Sequence, residues 1–204
     1  MSKLHLHQHD LPDGLDLGRM VAIDTETMGL DPRRDRLCLV QLSAGDDTAH
    51  LVQILPGALD CPNLKALLTD AAVTKLFHFA RFDIAALFHA LGVLTTPVIC
   101  TKIASRLVRT YTDRHGLKDL CRDLAGVEIS KQQQTSDWGA MELSPEQLNY
   151  AASDVLYLHV IWQKLEALLR REGRYEIAEA AYGFLPTLAK LDLLGYGEPD
   201  LFHH

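Results

Sequence analysis

No stretch of this 204-residue sequence stays apolar for the roughly 20 residues that a membrane-spanning helix needs; Asp, Arg or His interrupts each long candidate. Glycine and proline are sparse, at 13 and 8, which excludes a collagen-like chain or an extended linker. The N-terminal Met1-Ser2-Lys3-Leu4-His5-Leu6-His7 lacks the apolar core and small-residue cleavage site of a secretory signal. The four cysteines, Cys38, Cys61, Cys100 and Cys121, stand far apart with no C-x-x-C pair. That excludes a disulfide framework or a zinc ribbon and leads to the expectation of a reducing, cytoplasmic setting. Positive charge is also short. Twenty Lys and Arg face 27 Asp and Glu, and the net of −7 argues against a nucleic-acid partner held by phosphate contacts alone.

What remains, 48% apolar and 23% charged residues, is the composition of a folded domain with a real core. The first half reads as strands. His5, His7 and His9 alternate on an edge strand, where they either grip a transition metal or simply face solvent. Met20-Val21-Ala22-Ile23, Arg36 to Ser43 and Thr48 to Ile54 follow with short connections, as in an antiparallel meander. A helix is expected near Pro62, a strand over Val73 to Phe79, a helix from Asp83 to Leu91 stopped by Gly92, and a strand over Pro97 to Cys100. Helices take over from Thr101: Lys102 to Arg109, Leu117 to Ala125, then one long helix from about Asn149 to Arg171 behind a Ser144-Pro145-Glu146-Gln147 capping box. Weaker helical segments follow between Tyr175 and Leu194. The polar run from Glu128 to Asp137 reads as a loop. Together these give a single α/β domain on a mixed sheet, with a core over about 4–170 and the C-terminal helices of 171–194 packed on it.

Three carboxylate features stand out. Asp24 and Glu26 end an apolar strand at spacing two, so both leave the same face, where two like charges ask for a divalent cation or else begin a turn. Tyr150 and Asp154, four apart on a helix, point the same way from a largely apolar face. In His78-Phe79-Ala80-Arg81-Phe82-Asp83, Asp83 falls in a first helical turn, where an anion is favoured with or without a function. The segment Thr101 to Arg122 carries six basic residues against two acidic ones, a stripe that is either a strand-guiding surface or a solvated helix face.

The order D-x-E, x-x-F-D and Y-x-x-x-D resembles the DEDD exonuclease superfamily in its tyrosine-containing branch. With Asp24 to Leu30, Leu39 to Ser43, His115 to Leu120, Ser136-Asp137-Trp138 and Tyr150 to Leu158, the sequence is similar to the catalytic domain of ribonuclease D over about Leu4 to Leu169. The resemblance implies an RNase H-like α/β fold, its mixed central β-sheet flanked by helices with a helical C-terminal part. It implies 3′→5′ exonuclease activity on RNA with a free single-stranded 3′ end, such as tRNA precursors, releasing nucleoside 5′-monophosphates; DNA is the alternative substrate and an inactive RNA-binding scaffold a further one.

By motif position Asp24, Glu26, Asp83 and Asp154 would hold two divalent ions, Mg²⁺ or Mn²⁺, with Asp24 bridging, and Tyr150 would orient the attacking water. Hard oxygen donors without cysteine suit those ions. Thr25, Met28, Leu30, His78, Lys102, Arg106, Arg114 and Lys118 are the expected substrate-binding residues, although core packing accounts for Met28 and Leu30 equally well. One departure is Phe79, where many relatives carry Asn. The helical nucleic-acid-binding domain that often follows in ribonuclease D is not expected here, and the protein is expected to be a monomer away from membranes.

Overall fold

The computed structural model describes residues 2–130, 132–197 and 201. Six strands form one mixed sheet: β1 (Lys3–Gln8), β2 (Met20–Thr27), β3 (Leu37–Ser43), β4 (Thr48–Gln53), β5 (Thr74–Phe77) and β6 (Val98–Cys100). Their spatial order is β1-β4-β3-β2-β5-β6. β2, β3 and β4 make the expected antiparallel meander, while β1 joins β4, β5 joins β2 and β6 joins β5 in parallel. Every residue of β3 is buried, because helices cover the sheet on both faces and leave no solvent side.

The helices are α1 (Pro62–Thr69), α2 (Ala80–Leu91), α3 (Thr101–Val108), α4 (Leu117–Leu120), α5 (Pro145–Leu156), α6 (Leu158–Arg171) and α7 (Tyr175–Leu193). A π-helical turn, Cys121–Ala125, continues α4. Helix α5 packs across β2, β3 and β4, whereas α2 packs on β2 and β5 and against α7. Between strand and helix the chain often turns at once; α3 starts on the residue after β6. Among the described residues, no helix is long and apolar enough to cross a membrane.

Three sequence expectations are corrected. The helix expected from Asn149 to Arg171 is two helices, bent at Tyr157 (φ −102°, ψ −4°). No Gly or Pro marks the bend, and the apolar period of Ala151, Val155, Leu158, Ile161 and Leu165 runs through it. The cause is tertiary: α5 lies on the sheet, whereas α6 lies against α3 and α7. The reverse holds at the C-terminus, where the weak segments form the single helix α7 with Pro186 inside it. Tyr182, Leu185, Pro186 and Ala189 are buried there, and their packing overrides the local cost of proline. Finally, β1 ends at Gln8, and His9 turns off in a left-handed conformation (φ 73°). His5 and His7 are joined instead by His50 of β4, with His7 Nε2 and His50 Nδ1 3.0 Å apart.

Lys75 of β5 is fully buried. Its ammonium donates to the carbonyls of Asp70 (2.6 Å) and Thr96 (2.8 Å). Burial lowers its pKa to about 8.

Candidate active site

The site forms where β2 runs out between the two helical layers. Side chains alternate along a strand, so Asp24 and Glu26 face α5, and Thr25 between them faces α2. A register shift between Glu26 and Thr27 bends β2 away from β3 at this point. Gly29 completes the departure: a Cβ there would lie 2.2 Å from Asp35 Oδ2, so a side chain at this position would push the Asp35 carboxylate aside.

On the α5 side, Asp24, Glu26 and Asp154 each place a carboxylate oxygen within 4.8 Å of the other two. Tyr150, one turn earlier on α5, shares a hydrogen bond with Asp154. Asp83 comes from the other layer and is not one of this group of three. Its Oδ1 accepts a 2.7 Å hydrogen bond from Thr25 Oγ1, so the hydroxyl expected to contact substrate is spent on holding Asp83. The α2 N-terminus presents Asp83 from within the fold, 4% exposed.

Electrostatics mark the site further. Desolvation lifts Asp24 to about 7. Desolvation, then the charges of Asp24, Asp154 and Asp83, push Glu26 to about 10. Asp83 rises through burial first and Asp24 second, and the Tyr150 phenol rises through burial and the same carboxylates. Among the described residues no cationic side chain figures in what acts on Asp24, Glu26 or Asp83. Close, half-buried carboxylates that lack a cation are what a hard divalent ion fits, and the all-oxygen donor set suits Mg²⁺ or Mn²⁺.

Asp24, Glu26, Tyr150 and Asp154 open into a cleft of about 500 Å³. Met28 and Leu30 line it at 60% and 88% exposure, which rules out the core-packing account of both. His78 lines it too, its Nδ1 2.9 Å from Thr101 Oγ1. The basic residues behave otherwise. Lys102, Arg106, Arg114 and Lys118 are not among the cleft's lining residues. Arg109 is buried on Asp123 (2.5 Å), and Arg122 bonds Asp119 and Asp123, so part of the stripe is internal pairing.

Residues from the Leu39 to Ser43 and Ser136 to Trp138 motifs, and from the polar loop before the second, complete the site. Gln41 of β3 lies opposite Asp24 and donates to its Oδ2 (3.4 Å). A glutamine inside an apolar strand was the available signal. Gln134, Thr135, Ser136 and Trp138 close one side of the cleft. This loop is pinned: Gln147 Nε2 donates to Ser136 Oγ and to the Asp137 carbonyl, and Gln53 Nε2 to the carbonyls of Ala140 and Met141. Trp138 is buried 6.0 Å from the Tyr150 ring, with Leu39, Leu51 and Ala151 beneath.

A family model described as 3′-5′ exonuclease matches residues 8–170. The chain belongs to the 3′-5′ exonuclease family. The class of enzyme read from the motif order is therefore the one found. A ribonuclease D of Acidiphilium cryptum is 38% identical over 172 residues, which is 84% of this chain and 43% of that protein. The chain thus spans about two-fifths of the length of the ribonuclease D proteins it matches. The structure of Escherichia coli RNase D, 28% identical, superposes with a TM-score of 0.72 over 84% of this chain and 45% of that one, in agreement with the expected RNase H-like α/β fold. Brucella melitensis NrnC bound to pGG is 55% identical, with a TM-score of 0.97 and both chains covered in full. The same protein with bound Mg²⁺ gives 0.95 over 99% of each chain.

Proposed function

We propose that this protein is a metal-dependent 3′→5′ exoribonuclease that removes nucleoside 5′-monophosphates from short RNA, down to the dinucleotide. The observation that carries the reading is the convergence of Asp24, Glu26 and Asp154 beside the Tyr150 phenol, in a cleft wide enough for a strand end. Asp24, Glu26 and Asp154 would hold one ion, and Asp24 with Asp83 a second. Bound there, two divalent ions would supply the positive charge that phosphodiester hydrolysis needs and acidify water at neutral pH.

The protein's own groups do the rest. A phenol with an ordinary pKa near 10 is protonated at pH 7 and worse still as a base among carboxylates, so Tyr150 orients water by hydrogen bonding rather than abstracting its proton. Gln41 fixes the Asp24 carboxylate from the neighbouring strand, and Thr25 fixes Asp83. Leu30 stands where it can wedge between the last two bases, with Met28 beside it. His78 borders the terminal nucleotide, while Lys102, Arg106, Arg114 and Lys118 would meet phosphates outside the cleft.

Short RNA is preferred as substrate because pGG is bound by a protein matched over its full length, whereas ribonuclease D is matched over two-fifths. The tRNA-precursor reading rests on the latter alone. Four free, buried cysteines suit a cytoplasmic setting. The test follows 5′-labelled RNA, and matched DNA, with free and blocked 3′ ends, in Mg²⁺, Mn²⁺ or EDTA. The expected result is a one-nucleotide ladder that needs metal and a free 3′ end and runs to completion on dinucleotides. Internal cuts, or cleavage that survives EDTA, would overturn it.

A further inference from the structure

We propose that Phe79 is the stacking platform for the base that precedes the terminal nucleotide, in a second cavity beyond Leu30. The proposal rests on the exonuclease reading and extends it to the upstream half of the substrate.

A cavity of about 530 Å³ adjoins the catalytic cleft, and the two share Leu30 and Phe82 as lining. A scissile phosphate set against Asp24, Glu26 and Asp154 places the terminal nucleotide in the cleft. The loop 134–138 closes one side of that cleft, so the strand leaves over Leu30 into the second cavity. There, among the described residues that line the cavity, the large exposed ring is Phe79, at 49% exposure. It sits at φ 71°, a left-handed backbone conformation that bulky side chains rarely adopt and that marks functional sites when the fold imposes it. This is also the position where the family resemblance expects Asn. The Lys102 ammonium stands 4.1 Å from the ring centroid, which leaves the ring a polarised face for a base and puts a cation beside the strand. The far wall is the Arg81–Asp192 pair, with Asp192 at the end of α7. A space of this size takes one small-molecule-sized group, here one nucleoside of any base identity, since stacking is sequence-tolerant.

The test compares pGG with two analogues, one lacking the 5′-side base and one lacking the 3′-terminal base, on the wild type, Phe79→Asn and Phe79→Trp. Asn tolerates the left-handed backbone, so the ring is removed without disturbing the turn. For the wild type, losing the 5′-side base should lower kcat/KM roughly five- to hundredfold. In Phe79→Asn that difference should vanish while the penalty for losing the 3′-terminal base persists, and Phe79→Trp should restore the first difference. The proposal is overturned if Phe79→Asn depresses pGG and the 5′-abasic analogue in the same proportion, or leaves the base preference intact. Failure of the wild type to hydrolyse any substrate in Mg²⁺ would instead strike the exonuclease reading, and the proposal with it.

Discussion

At the residue scale, burial lifts Asp24, and burial together with the charges of Asp24, Asp154 and Asp83 lifts Glu26 further, with no cationic side chain among the causes of either shift. Asp24→Asn keeps the shape and removes one of the repelling charges. In EDTA the variant should melt higher than the wild type, by about 2–4 °C for each kcal/mol of repulsion removed. The Mg²⁺-dependent rise in melting temperature should shrink to nothing along with nucleolysis. A variant that still gains stability from Mg²⁺ would show that the ion is held elsewhere. Strand and helix periods put Asp24 with Glu26 and Tyr150 with Asp154 on shared faces, and it was the resemblance of the motif order, not the spacing, that marked them as one site. Nothing local revealed that Thr25 would bind Asp83 from the other layer, or that Gln41 would sit across from Asp24, since both depend on which strand pairs with which helix.

The element that organises the cleft wall is the first turn of α5. Ser144 and Gln147 form a reciprocal capping box, and the same Gln147 reaches back with its amide nitrogen to the loop at Ser136 and Asp137. Gln147→Glu separates the two duties, because glutamate caps as well as glutamine but cannot donate to the loop. Thermal stability should change by no more than a few degrees, while KM rises several-fold and hydrogen exchange over residues 134–138 accelerates. A large fall in melting temperature with unchanged KM would assign Gln147 to helix capping alone. The Ser-Pro-x-Gln signature made the start of α5 plain in the sequence. The bend at Tyr157 left no such mark, for it answers to what α5 and α6 each pack on, and the continuity of α7 through Pro186 was hidden for the same reason.

For the whole molecule, Lys75 sets a pH signature. Its pKa is about 8 in the fold against 10.5 when free, so between these values the unfolded chain holds a proton that the folded one has released. Unfolding then takes up protons, and stability rises with pH across that window. In urea melts from pH 7.5 to 10.5, the wild type should gain stability relative to Lys75→Met; a constant difference would show that Lys75 does not titrate in this range. The order of strands before helices and the mixed sheet could be read from periodicity. The parallel docking of β1 on β4 could not, because it joins segments some forty residues apart. Residues 8–170 match the family and contain the carboxylates, yet Asp192, Gly195 and Gly197, past that stretch, wall the second cavity. The wall of that cavity is thus finished by a passage of the chain outside the one that carries the carboxylates, so substitutions there can reshape the space upstream of the cleft while leaving every acidic side chain in place.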